Sequence, residues 1–144
     1  SSAARLIDYR REQPPRLEHN DAYDMFGEKI DWSRGYNLAF IGIRKPELST
    51  SLFQFGLQRH IELARRVMAP KGLRGYIVIA NANYEVAYLN WVSKAAHNLA
   101  VQSPGGQSVF ADANRIMNVL MYKEAVPFNG AAVTPNTVYS TINR

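Results

Sequence analysis

The 144 residues, 47% apolar, 11% aromatic and 20% charged, suit one folded globular domain and are too few for two ordinary domains with separate cores. The absence of cysteine excludes a disulfide framework, a zinc-thiolate site, an iron-sulfur cluster and a cysteine nucleophile, and only three histidines are present. The net charge of +5 belongs to one segment: residues 34–74 carry eight basic and two acidic side chains, whereas residues 1–33 sum to −2 and residues 75–144 to +1. The longest nearly apolar runs, residues 37–43 and 76–82, are far shorter than the ~20 residues a membrane-spanning helix needs.

In chain order, residues 1–20 are polar and carry Pro14-Pro15, which predicts an extended arm ahead of a single domain over residues 21–144. Asn20 or Asp21 is placed to cap a short helix reaching Ile30, although Gly27 weakens it. A turn over Trp32 to Gly35 leads into a buried strand from Tyr36 to Ile43, ended by Pro46. The strongest helix runs from Ser49 to Ala69, where Phe53, Leu57, Ile61, Ala64 and Met68 share a face opposite Arg59, Glu62, Arg65 and Arg66. Tyr76 to Ala80 is apolar and β-branched and predicts a central strand. The helix between the two strands is long enough for a crossover that would set them parallel, with an antiparallel arrangement as the alternative.

A helix is then expected over residues 85–101, with Tyr88, Trp91, Val92, Ala95 and Leu99 on one face and a break at Pro104-Gly105-Gly106. A third is expected from Val109 to Ala125, capped by Ser108 and stopped by Pro127. The remaining residues hold a turn at Asn129-Gly130 and a Thr-rich edge strand from Thr137 to Ile142. The fold class is therefore α/β or α+β, a small mixed sheet with about three packing helices and an N-terminal arm.

Few motifs carry chemistry. Asp21, Asp24 and Glu28, with His19 before them, would line one face if residues 20–30 were helical, but an acidic first turn explains them without a ligand, and no metal site is assigned. No zinc finger, RNP-type aromatic motif, KH-type loop or Gly-rich phosphate cradle accompanies the basic segment. His60 and His97 sit on helical faces without an acid at an obvious spacing, which favours packed residues over catalytic bases. Asn81 and Asn83 follow a predicted strand, where open parallel sheets present ligand-binding loops.

The leading expectation is a noncatalytic structural or assembly subunit whose partners are other protein subunits, with no cofactor. Tyr9, Tyr23, Trp32 and Tyr139 are its exposed anchor candidates, and Arg59, Arg65 and Arg66 offer further contacts. The first alternative is a nucleic-acid-binding module using residues 34–74. The second is a small-molecule-binding or enzymatic α/β domain with a pocket near Asn81, Asn83 and His97. A start rich in Ser, Ala and Arg without an early acid suits the end of a transit segment to an organelle such as the mitochondrion, while a trimmed start explains the same letters.

Overall fold

Among the described residues, five strands and three α-helices follow one another in the order β1 (Arg16–Asn20), β2 (Tyr36–Arg44), α1 (Thr50–Met68), β3 (Leu73–Ala80), β4 (Tyr84–Trp91), α2 (Lys94–Gln102), α3 (Pro104–Ile116) and β5 (Met117–Ala125). The computed structural model describes residues 13–21 and 23–125. Tyr9, Tyr139, the turn at Asn129-Gly130 and the strand expected over 137–142 lie outside the described residues. The strands form one sheet in the order β1-β3-β4-β2-β5, with every pair antiparallel, and the class is α+β.

That order corrects the parallel crossover. β2 and β3, the strands joined through α1, are not neighbours, because β4 turns back from β3 and inserts between them. The β3–β4 hairpin forms because Asn81 organises its turn: its side-chain oxygen accepts from the backbone N–H groups of Asn83 and Tyr84 at 2.9 and 3.1 Å.

α1 forms as expected. Ser49 caps it by accepting from Leu52 N–H, and Phe53, Leu57, Ile61, Ala64 and Met68 are buried against the sheet. A 3-10 turn over Ala69–Lys71 follows, and Gly72 ends it in the left-handed conformation at φ 116°.

Three predicted helices require correction. Residues 20–30 form no helix but a tight loop, in which Asp24 Oδ1 accepts from Phe26 and Glu28 N–H and Tyr23 bridges to Lys29. The expected carboxylate face is thereby dismantled, since Asp24 serves the backbone and Asp21 turns to His19 and Arg65. Residues 84–91 are strand β4. Their side chains are covered on both faces of the sheet, so the strand lacks the apolar-polar alternation that identifies a half-exposed one, and its aromatic residues imitate a helical spacing. The helix expected from Val109 to Ala125 ends at Ile116, and β5 completes the sheet beside β2.

Ser103 does the work expected of Ser108. It ends α2 and caps α3, accepting from Gly106 N–H at 3.1 Å while Pro104 occupies the first turn. Gly106 permits this corner, because a Cβ there would meet the Ala100 carbonyl oxygen at 2.0 Å.

The main core lies between the helices and one sheet face, around Leu38, Phe40, Phe53, Leu57, Val78 and Trp91. On the opposite face, Ile30 and Trp32 pack on Ile77, Ile79 and Tyr88. A buried polar network pins the chain that carries Trp32. Asn90 donates to the Arg34 carbonyl and Asn37 Oδ1 at 2.8 and 2.6 Å and accepts from Arg74 Nε at 3.0 Å, while Asn37 donates to the Trp32 carbonyl. No described helix is long and apolar enough to cross a membrane.

Candidate functional site

Between α1, α3 and the inner sheet face lies a cavity of about 50 Å³. Such a space holds a few water molecules or a small guest. α1 contributes His60, Ala64 and Met68; α3 contributes Val109, Phe110 and Ala113. Every second residue of β4 (Glu85, Ala87, Leu89 and Trp91) points to it, because strand side chains alternate between faces. Leu73 and Tyr76 of β3, Phe40 of β2 and Tyr122 of β5 complete the wall. Leu89, Phe110 and Tyr122 are the only partly buried residues in this lining.

Two polar groups of the wall are left unused. Glu85 is 1% exposed; its Oε1 accepts from the Tyr76 hydroxyl at 3.4 Å, and Oε2 has no hydrogen-bond partner among the described residues. Trp91 is equally buried, and its Nε1 is unpartnered in the same sense. Burial pushes the Glu85 carboxyl up to about 8, so it is mostly protonated at neutral pH, and burial likewise raises the Tyr76 phenol well above its ordinary range.

A third group is oriented for proton transfer. His60 Nδ1 lies 2.9 Å from Asp112 Oδ2, and Arg115 holds the other carboxylate oxygen at 2.8 Å. Burial lowers the His60 pKa, against the opposing pull of the Asp112 hydrogen bond, so the ring is neutral at neutral pH. Asp112 stays ionised below the usual carboxylate range: partial burial opposes this, and the hydrogen bonds from Arg115 and His60 outweigh it. Asp112 therefore fixes the tautomer with the proton on Nδ1. Nε2 is left as a free acceptor, making no hydrogen bond among the described residues.

The sequence-predicted ligand residues divide. His97 stands directly behind the cavity, with Nε2 2.7 Å from the Tyr122 hydroxyl, Nδ1 2.9 Å from Asn98 Oδ1 and its ring against Trp91. It positions two wall residues without entering the lining. Asn81 and Asn83 lie at the β3–β4 turn and perform structural work, Asn81 through the turn bonds and Asn83 by accepting from Arg44 Nε at 3.0 Å. They do not join the cavity lining.

The contact candidates also separate. Tyr23 is 63% exposed, whereas Trp32 is 6% exposed and packs on Tyr88, so it is not an available surface anchor. Arg59 extends over the exposed Phe55 ring, Arg65 pairs with Asp21 at 3.2 Å, and Arg66 lines a polar groove with Glu62 and Asp112. Arg44 and Arg74 are also tied to internal partners, which interrupts the continuous basic stripe that the nucleic-acid alternative requires.

Glu85 was absent from the sequence-level candidates. Its one available signal is that it is the sole acid between residues 63 and 111, set in an apolar run.

No protein-family model and no curated protein sequence matches the chain. Solved structures do share its fold. A major regulator of staphylococcal pathogenesis aligns with a TM-score of 0.54 at 12% identity, over 80% of this chain and 68% of its own. An antibiotic biosynthesis monooxygenase from Bacteroides thetaiotaomicron aligns with a TM-score of 0.50 at 16% identity, over 67% of this chain and 92% of its own. SnoaB, a cofactor-independent oxygenase from Streptomyces nogalater, gives 0.49 at 12% identity, over 65% and 94%.

These matches describe the architecture. Together with the cavity they correct the expectation of a noncatalytic assembly subunit, which rested on the lack of any catalytic constellation. The chain builds an oriented histidine and a buried carboxyl into a cavity wall, which is the constellation that expectation lacked. The small-molecule alternative is the better supported.

Proposed function

We propose that this chain is an enzyme that binds a small, mostly apolar molecule in the cavity and removes a proton from it with His60. The observation that carries this reading is His60 on the cavity wall, its Nδ1 committed to the Asp112 carboxylate behind it and its Nε2 without a hydrogen bond among the described residues. A neutral imidazole held by an ionised carboxylate is a general base, and the carboxylate stabilises the imidazolium that forms. The aromatic and aliphatic lining supplies the binding energy, since apolar area is what such a guest removes from water.

The test is hydrogen-deuterium exchange at the acidic C–H bonds of acetone, acetaldehyde and nitromethane, carbon acids small enough for the cavity, in D2O, followed by NMR. The protein should accelerate exchange of at least one of these carbon acids, and His60→Gln should lose about 100-fold or more of that acceleration. Exchange no faster than buffer with all three would refute the reading.

A further inference from the structure

Glu85 and Trp91 take no part in the proton transfer just described, yet both are 1% exposed and both carry an unsatisfied polar atom in the cavity wall. A buried polar group without a partner is costly in a folded protein and points to a missing ligand or water. Hydrogen-bond direction defines what is missing. With the Tyr76 hydroxyl donating to Glu85 Oε1, the unpartnered Oε2 is the oxygen that can carry the proton of a neutral carboxyl. Indole Nε1–H is a donor only. The wall therefore offers two donors and asks for acceptors. Among the described residues no Lys or Arg lines the cavity, and His60, the one base there, is held neutral by burial, so nothing on the wall would neutralise an ionised Glu85.

Resting on the small-molecule reading, we propose that Glu85 Oε2–H and Trp91 Nε1–H are specificity-determining donors that select neutral carbonyl compounds, whose oxygen accepts hydrogen bonds and brings no full charge into the apolar site. Glu85 is thereby a binding residue in its protonated form. Burial, which holds the carboxyl at about 8, keeps that proton in place at neutral pH.

The experiment compares acetone, the smallest ketone, with isobutane, a hydrocarbon of equal heavy-atom count, and with isopropylammonium. Dissociation constants come from the methyl NMR shifts of Ala64, Ala87 and Ala113, and hydrogen bonding comes from the chemical shift of a 13C-labelled ketone carbon. Glu85→Gln, which retains a donor, should bind acetone within about threefold of the wild type. Glu85→Leu should weaken the ketone about tenfold or more and leave the hydrocarbon unweakened. Trp91→Phe, which removes one N–H with little loss of ring, should weaken the ketone in the same direction and serves as the second variant if Glu85→Leu does not fold. Equal ketone binding by the wild type, Glu85→Leu and Trp91→Phe would overturn the donor assignment while leaving the cavity a binding site. Preference for isopropylammonium would overturn it by showing an ionised Glu85. Binding of none of the three would overturn both this assignment and the reading beneath it.

Discussion

Glu85→Gln should stabilise the protein strongly at alkaline pH and scarcely at all at acid pH. Burial penalises the charged form and holds the folded-state carboxyl at about 8, against an ordinary value of 4.5. In the unfolded chain the same group releases its proton near its ordinary value. Between these values the folded state holds one proton more than the unfolded state, so stability falls as pH rises. The contribution is fully present below about 4.5 and is lost by about 8, a difference on the order of 4 kcal/mol for one group.

Glutamine keeps the shape and carries no ionisable proton. Urea unfolding across pH 4 to 8.5 should therefore show a variant-minus-wild-type difference growing from near zero to a few kcal/mol. His60 works in the opposite sense, since its lowered pKa adds stability as pH rises through the range of free histidine, but it is common to both proteins and cancels in the difference. A pH-independent difference would mean that Glu85 is not held neutral in the folded state.

Asn90→Ala should be the most damaging single change on the opposite sheet face, at about 3 kcal/mol. Asn90 is fully buried; its removal leaves Asn37 Oδ1 and Arg74 Nε without their bonds and takes one of two from the Arg34 carbonyl, which keeps Arg74 Nη2 at 3.2 Å. A buried acceptor facing nothing costs more than an ordinary hydrogen bond contributes, because its desolvation is not repaid. The loss should be local before it is global. Residues 31–35 carry Trp32 onto the sheet, and Gly35 adopts φ 81° where a Cβ would meet the Trp91 carbonyl oxygen at 2.3 Å. Amide exchange at Arg34, whose N–H donates to Asp31, should accelerate more than exchange in α1. A cost below about 1 kcal/mol, or uniform acceleration, would show that the network is not what holds this turn.

The parts of this structure that can be read from the amino acids are those where one physical signal dominates. α1 declares itself because one face is buried and the other solvated, and Ser49 caps it. β2 and β3 are apolar enough to stand out. β4 is hidden because Tyr88 and Asn90 face one covered side and Leu89 and Trp91 the other, so the period of two leaves no polar trace. β5 is hidden because Met117, Leu120 and Met121 extend the spacing of α3 past Ile116, and pairing with β2 overrides it.

The site suffered from the same errors. His60 is visible on the apolar side of α1, but its partner Asp112 is 52 residues away and meets it only when α3 packs on α1. Glu85 looks like an ordinary charge at a helix start until β4 is recognised as a strand. Then its position between Tyr84 and Val86 sends it inward, to the same side as Ala87, Leu89 and Trp91. Asn81 and Asn83 attracted interest through a rule for parallel sheets, and this sheet has no parallel pair. His97 reached the neighbourhood of the site because the helix carrying it starts where β4 ends, at Ser93.

The central claim is that a small molecule enters the space between α1, α3 and β4, and xenon tests it most directly. A cavity of about 50 Å³ with this lining accommodates one xenon atom, as apolar cavities in other proteins do. Under a few atmospheres of xenon, methyl NMR should show saturable shifts at Ala64, Ala87, Val109 and Ala113, with Ala39 and Ile79 on the opposite sheet face unmoved. Shifts absent from the first group, or spread evenly over both faces, would contradict the account.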